Sequence, residues 1–151
     1  MSANSRYLVS VSKVIAADRQ ALFDIVAAPG RHPEIDGSAT VRAVQAGGPE
    51  RLSLGARFAM DMHLAADYKI VNTVVEFDEP NQIGWRHFNG HIWRYQFTDV
   101  EGGTEVTEQW DARTAKNRFG LLLLRFPTRN RAGMLATLDR LAELVTTARA
   151  H

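Results

Sequence analysis

The chain has 151 residues, of which 45% are hydrophobic, and it carries 18 Lys and Arg residues against 17 Asp and Glu residues. This length suits one domain over 1–151, and the formal net charge of +1 gives no electrostatic footprint for nucleic acid or an anionic membrane. The chain has no cysteine, which excludes disulfides, thiolate nucleophiles and cysteine metal sites. We expect a cytoplasmic protein without membrane insertion, since no apolar run approaches membrane-spanning length and the N-terminus lacks an apolar signal core.

The first quarter of the chain predicts one strand followed by two short helices. Residues Tyr7–Ile15 alternate in polarity, as a strand with one buried face does. Asp18 can cap a helix that ends at Pro29-Gly30, and residues 31–36 predict a second short helix or turn.

The middle of the chain predicts a succession of strands. Each connection between them is short, so the sheet must be antiparallel, because parallel strands need long crossovers. The six predicted strands are Ala39–Gln45, Gly55–Leu64, Tyr68–Phe77, Ile83–Phe88, His91–Thr98 and Thr104–Asp111.

The last stretch, Phe126–Ala148, predicts one long amphipathic helix. Pro127 suits its first turn. One apolar stripe at helical spacing is predicted to face the sheet, and its members are Met134, Leu135, Leu138, Leu141, Ala142 and Val145. Residues 121–124 before it form an apolar run that indicates a short helix or hinge. The predicted fold is therefore α+β: a seven-stranded antiparallel sheet wrapped around the long C-terminal helix, with a hollow between them and two short helices after the first strand.

The strongest hairpin signal in the sequence is Asn89-Gly90. A two-residue loop there pairs Arg86 with Trp93. Directly paired residues lie on the same face of a sheet, so Arg86 is predicted to face the hollow.

A second turn at residues 100–103 fixes the next pairing. It predicts that Tyr95 lies opposite Glu108 and that Trp93 lies opposite Trp110. These residues give an inner face that is apolar and aromatic apart from Arg86 and Glu108, which suits an apolar ligand anchored by a few polar groups. The candidate cavity residues are Phe58, Met60, Met62, Arg86, Trp93, Tyr95, Phe97, Glu108, Trp110, Met134 and Leu138.

Two alternatives stay open for these residues. An aromatic inner face can be ordinary core rather than a ligand contact. Arg86 and Glu108 can pair with each other rather than anchor a ligand.

The histidines do not predict a metal site. His87 and His91 have the spacing of a ligand pair, but the two-residue loop places them on opposite faces of the sheet. His32 and His63 are predicted at the surface. The GxSxG, P-loop and HExxH motifs are absent from the sequence, and we predict neither a metal nor a cofactor.

Four segments together resemble the START-like SRPBCC superfamily, in particular the polyketide cyclase/dehydrase group of small actinobacterial proteins. They are residues 14–35, 55–62, 74–95 and 102–111, and the resemblance extends over nearly the whole chain. It implies a helix-grip fold with a hydrophobic cavity that opens near the short helices. Such a fold hosts many activities, so the fold alone does not assign one.

The resemblance and the inner face together lead us to expect binding of a small hydrophobic molecule, lipid- or polyketide-like, in the internal cavity. An alternative is an aromatase/cyclase or dehydratase acting on a poly-keto substrate, with Arg86, Tyr95 and Glu108 as candidate catalytic residues. A second alternative is a stress or toxin-type protein that acts through a protein partner, for which an apolar patch at Phe119–Phe126 would be the surface. The sequence leaves open whether the protein is a monomer or a dimer.

Overall fold

The computed structural model describes residues 7–37, 41–44, 48–64, 66–87, 90–115 and 126–149, and it confirms the α+β class. A turn of 3-10 helix at Pro29–Arg31 precedes the second helix. The other elements are β1 (Leu8–Ile15), α1 (Arg19–Val26), α2 (His32–Ile35), β2 (Val41–Val44), β3 (Arg57–Leu64), β4 (Ala66–Asp78), β5 (Gln82–Arg86), β6 (Ile92–Val100), β7 (Gly103–Asp111) and α3 (Phe126–Arg149).

The strands of the described residues form one seven-stranded antiparallel sheet in the order β1-β7-β6-β5-β4-β3-β2. Strands β2 to β7 follow each other as neighbours because their connections are short. The first strand joins the opposite edge, where Val9 lies opposite Trp110 and Val11 opposite Glu108. The predicted sheet is thus confirmed.

The long helix α3 packs its apolar stripe against the sheet. Met134, Leu138, Leu141 and Val145 are all buried, and α3 contacts β1 and β7. Leu135 is exposed, so its predicted place on the buried stripe is wrong. This arrangement confirms the predicted sheet wrapped around the C-terminal helix. None of the helices in the described segments is long and apolar enough to cross a membrane.

The two short helices close one side of the space between the sheet and α3. Phe23 of α1 is fully buried, and its ring meets those of Phe77 and Phe97 edge to face at 5.6 and 5.7 Å between centroids. After α2, the backbone N–H of Gly37 donates to Thr137 Oγ1 of α3 at 2.9 Å. The chain that leaves α2 is thereby attached to the middle of α3.

The β5–β6 hairpin differs from the prediction by one residue. Trp85 lies opposite Trp93, Arg86 lies opposite Ile92, and the His87 N–H donates to the His91 carbonyl at 2.9 Å. Three residues rather than two therefore separate the last paired positions, and Gly90 has φ 92°, the left-handed conformation that ends a three-residue loop. Because side chains alternate along a strand, this shift turns Arg86 to the opposite face and brings Trp85 inward.

The neighbouring β4–β5 pairing contains a bulge that fixes which valine points inward. Val74 lies opposite Trp85, while Glu76 lies opposite Gly84, so Val75 is the extra residue. Val74 is buried. The apolar run at 121–124, predicted as a short helix or hinge, lies outside the described residues.

Candidate functional site

A row of tryptophans crosses the middle of the inner face of the sheet. Trp85 of β5, Trp93 of β6 and Trp110 of β7 are directly paired neighbours. Trp85 and Trp110 are buried and Trp93 is half-buried. We call these three residues the tryptophan row, and they form a broad apolar surface on the inner face, where His32 of α2 stacks on Trp85.

A buried polar pair lies on one side of the tryptophan row. Tyr95 of β6 is opposite Glu108 of β7, as the sequence predicts, and both are buried. The Tyr95 hydroxyl donates a hydrogen bond to the Glu108 carboxyl. The other carboxyl oxygen, Oε1, is buried and has no hydrogen-bond partner among the described protein atoms.

Burial controls the protonation of this pair. Loss of hydration raises the pKa of Glu108 well above its usual value, and the nearby Asp36 carboxylate acts in the same direction, against the Tyr95 hydrogen bond. Burial and the contact with Glu108 likewise raise the pKa of Tyr95. Glu108 is therefore set up to be a neutral carboxylic acid that can both donate and accept a hydrogen bond.

A second group of polar side chains lies on the other side of the tryptophan row. Asn72 of β4 is opposite Phe58, and the pairing of Thr73 with Arg86 places Asn72 beside His87. Asn72 is 3% exposed, and its Oδ1 is buried without a hydrogen-bond partner among the described atoms. His91 is buried as well, and its Nδ1 also has no hydrogen-bond partner among the described atoms.

The rings of His87 and His91 stack at 4.6 Å between centroids, so the two lie together and the prediction of opposite faces is wrong. The three-residue loop accounts for the difference, because it makes His87 and His91 a directly opposed pair. Burial lowers the pKa of His87 to about 4. Burial, together with His87, lowers the pKa of His91 to about 3. Within the described residues, His, Asp and Glu side chains do not form a group of three that could hold a metal ion.

His32 is buried, so the prediction of a surface position for it is wrong. Its ring, carried by α2, stacks on Trp85 at 5.1 Å and meets Phe58 edge to face at 5.6 Å. Its Nε2 is hydrogen-bonded to the Val26 carbonyl at 2.7 Å. Burial lowers the pKa of His32 to about 4 despite that bond, so the ring is a neutral part of the aromatic wall. The side chain of His63 lies outside the described part of the chain.

Most of the predicted cavity residues do face the interior. Met62 has a described backbone on β3, but its side chain lies outside the described residues. Trp93 is half-buried. The buried members are Phe58, Met60, Tyr95, Phe97, Glu108, Trp110, Met134 and Leu138.

Arg86 is the exception among the predicted site residues. It is exposed and lies on the opposite face of the sheet from Trp85, so its predicted inward position is wrong. The alternative of a pair between Arg86 and Glu108, left open by the sequence, is excluded for the same reason. Trp85 takes the inward position that sequence reasoning assigned to Arg86. The alternation of Ile83 and Trp85 along β5 favours Trp85 as the inward residue, and the two-residue loop assumed at Asn89-Gly90 led to the opposite assignment.

The outer face of the same strands carries the strong ion pairs. Arg94 of β6 donates to both carboxylate oxygens of Glu76, at 2.6 and 2.7 Å, and lies 3.3 Å from Asp111. The hydrogen bonds from Arg94 lower the pKa of Glu76. This bidentate pairing ties β4 to β6 on the outside, away from the polar groups of the inner face.

A surface cleft of about 1160 Å³ lies beside α1, near the C-terminal half of α3. It is separate from the tryptophan row and from the two polar groups, none of which lines it. Its walls include Ala17, Ala21, Ile25, Ala28, Asp99 and Val145.

Comparison with known proteins places this geometry in a family context. The profile described as "Polyketide cyclase / dehydrase and lipid transport" matches residues 6–146. The uncharacterized protein Rv0088 of Mycobacterium tuberculosis is 36% identical over 148 residues, a match that covers 94% of this chain and 66% of that protein. The chain thus spans 66% of the length of the curated relatives that it matches.

Solved structures share the fold at low sequence identity. The AHSA1-like protein from Aeromonas hydrophila superposes with a TM-score of 0.69 at 20% identity, covering 95% of both chains. Protein Ms6760 from Mycobacterium smegmatis gives a TM-score of 0.72 at 19% identity, covering 95% of this chain and 93% of that one. At this level of identity the two structures inform the fold alone.

Proposed function

This chain belongs to the polyketide cyclase/dehydrase and lipid transport family, within the START-like superfamily that its sequence resembles, and we propose that it binds a small hydrophobic molecule between the sheet and α3. The observation that carries the proposal is Glu108, a carboxyl 3% exposed in an aromatic wall, with one oxygen that no described protein atom satisfies. A buried polar atom without a partner costs free energy, so such atoms call for a partner from outside the chain.

The surroundings of Glu108 support a ligand of lipid or polyketide type. The tryptophan row, Phe58 and the His32 ring supply broad apolar faces, and polar groups occur among them at few positions. Sites for small apolar molecules are built in this way, with a hydrophobic lining and a few polar atoms that orient the ligand.

An ordinary core accounts less well for the same residues. A core gains stability when a buried carboxyl without full hydrogen bonding is replaced by an apolar side chain of similar size. Here three buried side chains, those of Asn72, His91 and Glu108, each have an atom without a described partner. Their presence on one inner face favours a role in recognition over a role in stability.

The test is native mass spectrometry of the protein purified from its own host, followed by organic extraction. We expect a co-purifying hydrophobic molecule on the wild type and on Arg86→Ala, a matched control whose side chain is exposed on the other face. We expect reduced occupancy on Glu108→Leu. A clean apo mass, with no shift across a panel of lipids and aromatic polyketides, would overturn the proposal.

An enzymatic role is the second candidate, and the protonation of Glu108 favours it. A carboxylic acid kept neutral beside a tyrosine hydroxyl can act as a general acid on a carbonyl or hydroxyl oxygen. The aromatase/cyclase or dehydratase hypothesis keeps Tyr95 and Glu108 and loses Arg86, which is outside the interior. It predicts turnover of a poly-β-keto substrate with a bell-shaped pH–rate profile, and Glu108→Gln should abolish that turnover. Full activity in Glu108→Gln would exclude Glu108 as the proton donor.

The alternative of a stress or toxin-type protein rests on the apolar stretch 119–126. Its side chains lie outside the described residues, so this hypothesis stays a prediction from sequence.

A further inference from the structure

We propose that the interior takes an uncharged, elongated ligand that is hydrogen-bonded at both ends, with a flat apolar middle lying on the tryptophan row. This inference rests on the proposed function and specifies the class of molecule bound. It rests on the order of three groups along the inner face: the polar group of Asn72 and His91, the tryptophan row, and the polar pair of Tyr95 and Glu108.

The order follows from the strand register. Along this part of the chain, His91, Trp93 and Tyr95 are alternate residues and point to the same face. Four residues of strand span about 13 Å at roughly 3.3 Å per residue. His91 and Tyr95, the members of the two polar groups on β6, therefore lie about 13 Å apart with Trp93 between them. Asn72 and Glu108 lie on β4 and β7, so their backbones are farther apart than that.

Each end offers a hydrogen-bonding atom without a partner among the described residues. At one end these are Oδ1 of Asn72 and Nδ1 of His91. At the other end it is Oε1 of Glu108, beside the Tyr95 hydroxyl. A hydroxyl suits both ends, because it can donate to Asn72 Oδ1 and either donate to or accept from a protonated Glu108.

The middle of the inner face favours a flat ring system. The tryptophan row places three indoles side by side. The ring of Trp85 is covered by His32 at 5.1 Å and Tyr95 at 5.8 Å, so the half-buried Trp93 is the most open indole of the row. Aromatic surfaces of this kind pack best against flat or offset-stacked partners.

The charges near the inner face disfavour an anion. Among the described side chains, the cation on the inner face of β1 is Lys13, which is 42% exposed and lies 3.2 Å from Asp139 of α3. The charged group that acts on Glu108 is the Asp36 carboxylate. The lowered pKa of His91, about 3, and the raised pKa of Glu108 both favour uncharged side chains here. Arg140 of α3 donates to the Asp36 carbonyl at 2.7 Å, but its side chain is exposed, as is that of Lys13. A buried carboxylate ligand would thus lie near the Asp36 carboxylate with these cations at the exposed rim, which is costly.

The test uses three flat probes of the same frame: trans-4,4′-dihydroxystilbene, 4-hydroxystilbene and 4′-hydroxystilbene-4-carboxylate. Their dissociation constants are measured at pH 7 by quenching of tryptophan fluorescence and by calorimetry. We expect the diol to bind roughly three- to tenfold tighter than the mono-ol, as one net neutral hydrogen bond allows. We expect the carboxylate to bind more weakly than the mono-ol.

Variants assign the preference to the two ends. Asn72→Leu, which keeps the size of the side chain, and Glu108→Leu should each bring the diol-to-mono-ol ratio close to one. Arg86→Ala is the matched control and should leave the ratio unchanged. Circular dichroism and thermal unfolding check that each variant is folded, and Asn72→Ala and Glu108→Ala, which also lack a hydrogen-bonding side chain, repeat the comparison where a leucine variant is not folded.

The outcomes separate this inference from the proposed function. Equal affinity for diol and mono-ol, tighter binding of the carboxylate, or an unchanged ratio in Asn72→Leu would overturn the two-ended ligand while leaving an apolar ligand site in place. Failure of all three probes would also overturn it, and the native mass spectrum then decides the proposed function independently.

Discussion

Tyr95 on β6 and Glu108 on β7 lie directly opposite each other on the inner face of the sheet and share a hydrogen bond inside the hydrophobic interior. A carboxyl in this position is stable in its neutral form, because ionisation would place a charge among aromatic rings. The same feature has consequences for stability and for recognition.

Glu108→Gln should make the protein more stable at neutral pH. Glu108 has a raised pKa in the folded state, so its folded form holds a proton that the unfolded form releases above about pH 4.5. Its contribution to stability is full below that pH and is lost as pH rises, by at most about 1.4 kcal/mol per pH unit. Glutamine does not titrate, so the advantage of the variant should widen from pH 5 to pH 8, as measured by urea unfolding.

The urea-unfolding comparison also has an outcome that would contradict this prediction. A variant that is less stable than wild type by a constant amount at every pH would mean that Glu108 is ionised in the folded protein. Thr107→Val, on the outer face of the same strand, changes no titratable group and is the control that should leave the pH dependence unchanged.

His91→Phe should reduce the loss of stability in mild acid. The pKa of His91 is lowered to about 3 in the folded chain. Below pH 6.5 the unfolded chain therefore binds a proton at His91, while the folded chain keeps His91 unprotonated. Stability is therefore full above pH 6.5 and falls as pH drops toward 3, by up to about 1.4 kcal/mol per pH unit for each such histidine. Phenylalanine keeps the stacked ring and removes the titration.

This measurement belongs in the Glu108→Gln background, since Glu108 has the opposite slope between pH 5 and pH 7. Urea unfolding at pH 7.0, 6.0 and 5.0 should show a shallower decline for His91→Phe. An identical decline with and without His91 would place its proton uptake outside this range.

The sequence predicted the Tyr95–Glu108 pair because the turn at 100–103 is compatible with one loop length, a two-residue loop. Gly102 and Gly103 both have positive φ, and Val100 lies opposite Gly103 as a two-residue loop requires. The Asn89-Gly90 signal fits either a two-residue loop or a three-residue loop that ends in a left-handed glycine. Local sequence does not distinguish these, and a difference of one residue reverses the faces of β5.

His32 could not be placed from sequence for a different reason. A lone histidine in a short polar helix carries no periodic signal, and its burial is decided by contacts with Trp85 and Phe58, which are more than 20 residues away along the chain. Tertiary packing of this kind is invisible to hydrophobic periodicity. The long stripe of α3, by contrast, was readable because Met134, Leu138, Leu141 and Val145 repeat over three turns.

Gly37→Ala should destabilise the protein by about 1–3 kcal/mol, the usual cost of overpacking. A Cβ at this position would lie 2.5 Å from both the Gly133 carbonyl oxygen and the Thr137 nitrogen of α3, and backbone atoms cannot move aside. Thermal unfolding measures the loss. Adding Ala136→Gly removes a third close contact, also at 2.5 Å, and should restore little of the stability, whereas full recovery would mean that the α3 backbone is not the obstacle.

Leu138→Ala should cost about 2–5 kcal/mol, while Leu135→Ala on the same helix should cost less than about 0.5 kcal/mol. Leu138 is 1% exposed under the sheet, and Leu135 is 44% exposed. Urea unfolding of the two variants compares the same chemical change on the two faces of α3. Similar losses in both would contradict the packing of α3 described above.

Trp85→Ala should weaken binding of a hydrophobic ligand by tenfold or more, roughly the effect of losing an aromatic contact of 1–3 kcal/mol. Arg86→Ala, one residue along the same strand, should leave the affinity within about twofold, because the exposed side chain points to the other face. Trp85→Phe should retain part of the affinity, since a smaller aromatic ring still covers the same position.

The comparison of these neighbours tests the corrected register and the ligand site together. Dissociation constants for trans-4,4′-dihydroxystilbene are measured on all three variants, with far-UV circular dichroism as the check on folding. A large loss of affinity in Arg86→Ala with little change in Trp85→Ala would support the two-residue hairpin, in which Arg86 faces the interior, and would contradict the register described here. Loss in Trp85→Ala alone supports an aromatic wall in which the neutral ligand lies against the tryptophan row and is oriented by Glu108.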